Sequence, residues 1–493
     1  MTSADLTNNP APSFAPLSWR KAWLTIDQNQ RAVDFVGTFA GKMILHVAFL
    51  AVLALTFQPS PASLALITVT LFGVALFPVY RLPIVVLSSL FFVLVRPFRI
   101  DGWKELVNAK ASALPLGLPS IALQAGAVVI FLMLAAGFLY WQRANRESEL
   151  TKRPVLSLLG LWTAILLAAW MMPQSGLAGA VLWSLAGVFI SCFWVLAYAA
   201  VDQKTKDPTP TLMRAGFMRP FWGGSATPIG KNFGYLNKFD AKNEAELAAT
   251  RLKALKLVVW TAILAALLSA SQWLVHDYLA IPKLQTAIMG HATGAAFSGM
   301  ENWVSLLSNY FIDLMIIAVW GHAIVATVRM LGYRIPRNTR NPLAARTLAD
   351  FWNRYFFYFK ELLVDFFFYP AFVRYFKKNT KVRVAFATFC AAAVGNFLYH
   401  FTRETYVFAS LPVADALQIF QSAVFYSLAL ATGLIVSQWR GVKLKPEDGF
   451  LRYEVMPRIN VIAFFCFLKI FDDITGEGSL LDRASFTAGL FGL

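Results

Sequence analysis

His400 is the residue whose setting in this chain points most directly to chemistry. In GNFLYHF (395–401) Asn396 lies one helical turn earlier, so the two polar side chains share a helix face inside an apolar stretch. Polar groups are costly at that depth, and such residues tend to face a cavity or a pathway. A neutral imidazole there could take the proton from a hydroxyl nucleophile, as acyl transfer to an alcohol requires. The alternative on spacing alone is a helix–helix hydrogen bond.

The remaining candidates are sparse. His46, His276, His291 and His322 stand singly and read as core or interface imidazoles. Cys192, Cys390 and Cys466 are scattered through apolar segments without a CxxC spacing, which points to core thiols and gives no disulfide framework or zinc site. No phosphate loop, GxSxG elbow or HExxH motif occurs. Neither a metal nor another cofactor is expected.

The elements that must hold His400 are membrane helices. Of 493 residues, 58% are hydrophobic and 14% charged, whereas soluble domains are roughly a quarter charged. The mean hydropathy is +0.56. A barrel needs alternating positions, but stretches such as VLSLLGLWTAILLAAWMM (155–172) are apolar on every side. An all-α, polytopic protein follows, with about eleven spans near 35–57, 62–80, 82–97, 118–141, 154–172, 176–201, 255–280, 304–331, 384–408, 415–437 and 455–471. In 62–97, Arg81 and Pro83 interrupt the pattern, so one half is expected to be re-entrant.

The net charge is +17, from 44 Lys and Arg against 27 Asp and Glu. These cations sit in loops beside apolar spans, as the positive-inside bias requires, so the charge does not mark a nucleic-acid partner. Loops 143–153, 202–253, 329–352, 374–383 and 440–454 are basic and read as cytoplasmic, while 173–175, 281–303 and 409–414 are short or nearly lack cations. Segment 353–373 then has cytoplasmic ground on both sides and must be interfacial or re-entrant. Residues 1–34 form a cytoplasmic N-terminal segment without a signal-peptide pattern, 35–471 a single transmembrane domain and 472–493 a tail. A transporter is disfavoured, since Asp313 is nearly alone as an intramembrane acid and no inverted repeat is visible.

Within that frame, 331–370 reads LGYRIPRNTRNPLAARTLADFWNRYFFYFKELLVDFFFYP. It resembles the signature region of the membrane-bound O-acyltransferases, in the bacterial branch of the alginate O-acetylases and the teichoic-acid D-alanyl transferase. Phe351, Trp352, Arg354 and Tyr355 take the places of a Phe-Trp-Arg-Arg-Trp-His-type motif, and Asp365, Phe366, Tyr369 and Pro370 those of an Arg-Asp-Tyr-Leu-Tyr-Ile-Pro-type stretch. Phe397, Leu398, Tyr399 and His400 fall where the family has its Gly-Leu-Trp-His-Gly-type motif, and Pro228, Ile229 and Lys231 resemble its Gly-Pro-Ile-x-Arg-type loop. The likeness covers about 210–440, and 331–400 is its specific part.

The resemblance implies a tunnel through a multi-pass protein of a bacterial inner membrane. An acyl donor, an acyl-CoA or acyl-carrier thioester, would enter from the cytoplasm and a hydroxyl acceptor from the opposite face. It gives His400 the role of general base, with Asn396 or Asn353 orienting the imidazole or polarising the acyl carbonyl. Trp352, Arg354, Tyr355, Phe356, Asp365 and Tyr399 would support substrate. Expected partners are lipids, a donor carrier and a membrane or extracytoplasmic protein. Two departures stand out: Phe401 replaces the Gly after the histidine, and Phe356 stands where many bacterial relatives carry a first histidine. Phenylalanine neither donates nor accepts a hydrogen bond. Either Asn353 substitutes, or His400 works alone, or the chain is a catalytically degenerate scaffold or assembly subunit. Asp350 reads as an N-cap, and Arg354 and Asp365 as an ion pair if their role is structural.

Overall fold

The computed structural model describes residues 22–114, 119–173, 176–205, 208–215, 220–222, 227–295, 297–441, 445–472 and 478–493. These form helices and no named strand; an isolated antiparallel bridge joins Asp240 to Tyr333. The protein is an all-helical membrane protein. Among the described residues nine helices are long and apolar enough to cross a bilayer, against the eleven expected.

The two missing spans fail for different reasons. Pro78 starts a new turn after Phe77, so the 62–80 candidate contracts to Pro61–Leu76, 16 residues, while Pro78–Val95 qualifies. Met456–Lys469 continues a π-helical turn at Leu451–Val455 into one helical run, but Arg452, Glu454, Arg458 and Lys469 make that run too polar. At 1.5 Å per residue Pro61–Leu76 reaches about 24 Å, short of a core about 30 Å thick. The helical run Phe357–Arg374 is not among the nine; Lys360, Glu361, Asp365 and Arg374 make it too polar.

Two boundaries move. Residues 1–21 of the expected N-terminal segment lie outside the described residues, as does Arg219 of the 202–253 loop. The expected C-terminal tail is part of the fold. Ser479 and Asp482 make a reciprocal capping box that starts helix Leu480–Gly489, and Arg483, buried on that helix, donates to the Ile470 carbonyl at 2.7 Å. The helix packs on Leu284–Ala292, itself inside the expected 281–303 loop.

Leu177–Asp202 is apolar on all sides and buried along nearly its whole length, as such a helix must be. It packs between Ser120–Ala144 and Pro154–Met171. A second layer pairs Glu244–Gln272 with Gly299–Met330, against Phe39–Phe57. A third cluster brings together Leu284–Ala292 and the segments around Tyr426 and Phe465.

The segment 351–363 joins all three. Phe351 lies in the third cluster, 3.9 Å from Phe465 in a stacked pair. Tyr358 lies in the second, and Phe359, Leu362 and Leu363 in the first. The residues of the proposed signature therefore lock the helical layers together at one point.

Candidate functional site

The segment 336–341 sets the local geometry. Arg329 donates to the Ile335 carbonyl from Nε at 3.1 Å and Nη2 at 2.8 Å, which fixes the entry to this turn. The Asn338 carbonyl accepts from the Phe357 amide at 3.0 Å, and its Oδ1 accepts from the Tyr358 amide at 3.2 Å. The Thr339 hydroxyl donates to the Tyr355 carbonyl at 2.9 Å, and the Arg340 amide to the Arg354 carbonyl at 2.7 Å. These bonds take up backbone groups freed where helix Leu348–Tyr355 ends at Phe356. Asn338 can come this close because Gly321 has no side chain: a Cβ there would lie 2.7 Å from the Asn338 amide nitrogen.

The cap of that helix is Thr347, whose hydroxyl accepts from the Asp350 amide at 3.0 Å. Asp350 is therefore not the N-cap; it sits three residues in and pairs with Arg354 at 2.8 Å. This replaces the expected Arg354–Asp365 pair, because the chain breaks at Phe356 and carries Asp365 onto a different helical run. Asp365 faces Lys231 at 2.9 Å and accepts from the Tyr198 hydroxyl at 2.7 Å. Lys231 also reaches Glu361 at 2.6 Å, and Glu361 pairs with Lys360.

These contacts dock the 227–231 turn against the signature helix. Gly230 and Lys231 both take positive φ, 91° and 52°, making a tight bend. The Asp202 carboxylate accepts from the Phe233 and Gly234 amides at 2.8 and 3.0 Å, and so caps the short helix that follows. Thr227 shares a hydrogen bond of 2.9 Å with the Tyr399 hydroxyl, next to His400. The Tyr399 ring packs on Phe359 at 4.7 Å, and Phe359 is edge-on to His400 at 6.3 Å. Three segments distant in sequence thus meet around Tyr399 and His400.

Burial pulls the Lys231 ammonium down, but hydrogen bonds to Asp365 and Glu361 outweigh it and raise its pKa. Burial pushes the Glu361 carboxyl up, while Lys231 and Lys360 hold it below its ordinary range. A depressed carboxylate stabilises above its unfolded pKa and loses that contribution as pH falls through its folded value; the raised ammonium loses its own as pH rises through its folded value. The dock is accordingly expected to hold at neutral pH and to open in acid, below the ordinary glutamate range. Limited proteolysis at 227–231 should rise there, and the rise should be absent in Glu361→Gln.

The histidines divide by their partners. His46 Nδ1 meets the Lys42 carbonyl at 2.7 Å, His276 Nδ1 that of Ile281 at 2.9 Å and His322 Nε2 that of Thr339 at 3.1 Å; His291 Nε2 meets the Ser485 hydroxyl at 3.2 Å. Each is held by one ring nitrogen, while His46 Nε2 and His322 Nδ1 are buried without a partner among the described residues. Among the described residues no hydrogen-bond partner is found for His400, which packs against Phe359 and Tyr399 within electrostatic range of Arg403, Lys469 and Asp472. Asn396 is 1% exposed, and both its amide atoms lack a partner among the described residues. It faces the protein interior, as expected for a site residue, but does not hold the imidazole.

Asn353 departs from expectation. It is exposed, about 200° around the helix from buried Phe351, and so does not project toward His400. Trp352, Tyr355 and Phe351 line a small cleft with Asp313, Lys469 and Asp472. Phe356 instead borders a separate cavity of about 250 Å³ with Arg96, Ile229, Ile317, Trp320, Gly321, Ile324 and Asn338. Trp320 is half exposed on the outer face of its helix, so the cavity lies close to the lipid-facing surface.

Sequence reasoning did not find Glu361, Tyr198 or Thr227, which complete the dock, nor Lys469 and Asp472. The signal for the latter was an opposite charge in another apolar segment to match Asp313. In comparisons with known proteins, no family model and no curated protein matches this chain.

Proposed function

We propose that this chain is a membrane-embedded O-acyltransferase of a bacterial inner membrane, moving an acyl group such as acetyl from a thioester to a hydroxyl of an extracytoplasmic or lipid-linked acceptor. The observation that supports it best is the convergence of the 227–231 turn, the 351–365 segment and the His400 helix, joined through Thr227–Tyr399 and Lys231–Asp365. These are the stretches that resemble the family's motifs, and His400 is the histidine among them whose nitrogens the fold leaves to a ligand.

In this reading His400 takes the proton as the alcohol oxygen attacks the acyl carbon. The carbon–sulfur bond then breaks, and the imidazolium returns the proton to the departing thiolate. The Asn396 amide, buried and unpaired, donates to the carbonyl oxygen as charge builds on it, an effect worth about 3 kcal/mol where water is excluded. Trp352 and Tyr355 form walls, whereas Arg354 and Asp365 hold the scaffold of the site. The acyl donor is an acyl-CoA or an acyl-carrier thioester.

A second reading, a catalytically degenerate scaffold, draws on Phe356 together with exposed Asn353, since no polar side chain takes the first histidine's place. Release of free thiol from acetyl-coenzyme A by the purified protein in vesicles tests the choice. Turnover above that of heat-denatured protein supports the transferase; none supports the scaffold.

Phe356 then sets donor length. Phe356→Ala enlarges the 250 Å³ cavity it borders, so longer acyl-CoAs are expected to gain on acetyl-CoA. Each added methylene should count for roughly 1 kcal/mol, so kcat/KM for hexanoyl- relative to acetyl-CoA should rise at least about tenfold. An unchanged ratio would place the donor chain elsewhere.

A further inference from the structure

Asp313, Lys469 and Asp472 form an ionic cluster inside the helical domain. The Lys469 ammonium lies 2.6 Å from Asp313 Oδ2 and pairs with Asp472. Asp313 sits fourteen residues into helix Gly299–Met330, about 21 Å from its Gly299 end. Yet 27% of its side chain is accessible to a water-sized sphere, as are 21% of Lys469 and 28% of Asp472. Depth with access requires an internal cleft.

The cleft has about 30 Å³ of free space, walled by Tyr310, Tyr355, Tyr426 and Trp352 among others. Two polar atoms of these walls have no partner among the described residues: the hydroxyl of Tyr310, which is 2% exposed, and Trp352 Nε1. Burying such groups unpaired is costly, so a polar occupant is called for. A sugar ring does not fit, because a single water already needs about 10–15 Å³ on this measure. A hydroxymethyl group is of the right size.

Position supports an occupant from one side. The Gly299–Met330 helix runs toward the basic 331–347 segment, while the helices bearing His400 and Lys469 run away from the basic 374–383 and 440–454 segments. The cleft and His400 both lie toward the face opposite the basic loops. His400 and Asp472 are within electrostatic range of one another.

We propose that this cleft seats the hydroxymethyl end of the acceptor, so that the preferred substrate is a primary alcohol entering from the face opposite the basic loops. Lys469 and the Tyr310 hydroxyl donate to its oxygen, directly or through a bridging water, the aspartates hold Lys469 in place, and the hydroxyl proton is left to His400. The proposal rests on the acyl-transfer reading and adds the acceptor class to it. Atoms balance without a further reagent: the alcohol O–H and the thioester C–S bonds break, and an ester C–O and a thiol S–H bond form.

The test uses the full-length protein in vesicles with labelled acetyl-coenzyme A and two probes, octyl glucoside, which carries a hydroxymethyl group, and octyl xyloside, which lacks it. The readout is labelled ester relative to labelled acetate. The wild type should favour the glucoside by about tenfold or more. Tyr310→Phe, which removes an unpaired hydroxyl and leaves the packing, should cut that preference severalfold. The uncharged triple variant Asp313→Asn/Lys469→Met/Asp472→Asn should remove it. Equal use of both alcohols by the wild type, or an undiminished preference in Tyr310→Phe, overturns the proposal even though acyl transfer stands. Absence of both ester and acetate from the wild type overturns the acyl-transfer reading, and this proposal with it.

Discussion

Lys231→Met is expected to destabilise the protein by about 3 kcal/mol, the cost of breaking a largely buried ion pair from one side. Lys231 is only 10% exposed in its side chain and stands between Glu361 and Asp365. Methionine keeps most of the volume but leaves two carboxylates in one partly dry site, with Lys360 able to answer only Glu361. The 227–231 turn would then separate from the signature helix, and Thr227 would leave Tyr399. Adding Glu361→Gln should recover a good part of the loss, because one of the opposed charges is gone. Thermal unfolding in detergent of the single and double variants measures this. A Lys231→Met protein as stable as the wild type, or a double variant no better than the single, would show that the dock is ornamental.

How much of this was legible in the residues depends on the range of the interaction. Membrane helices follow from apolar run length, a local property, and most of them stand where hydropathy puts them. The failures at 62–80 and 455–471 have local causes too: Pro78 cuts one run, and Arg452, Glu454, Arg458 and Lys469 put too much charge into the other. The caps were readable but unread, a single N-cap bond at Thr347 to the Asp350 amide and a reciprocal capping box at Ser479 and Asp482.

The site was legible only in part. Asn396 and His400 share a face because four residues make about one turn, and no more than periodicity was needed. Their failure to bond each other was not readable, since it depends on rotamers set by Phe359 and Tyr399. The pairing of Asp365 with Lys231, over 134 positions of sequence, and of Lys469 with Asp313 depends on how helices cross. Charge matching could have suggested either, but geometry alone selects the partner. Asn353 was misjudged because the helix ends immediately after Tyr355, so no following turn brings it round toward Phe356's side.

The largest functional effect is expected at His400. Alanine removes the base and no hydrogen bond to a described residue, so the fold should tolerate it: a partly accessible ring is lost beside Phe359 and Tyr399, at a cost of about 1 kcal/mol. Catalysis should fall on the order of 10²-fold or more, the share a positioned general base contributes. The decisive measurement is labelled ester formed by His400→Ala against wild type, at matched protein abundance in the membrane and matched thermal stability. The account predicts ester production reduced at least about a hundredfold with abundance unchanged. Ester production by His400→Ala equal to that of the wild type would contradict it.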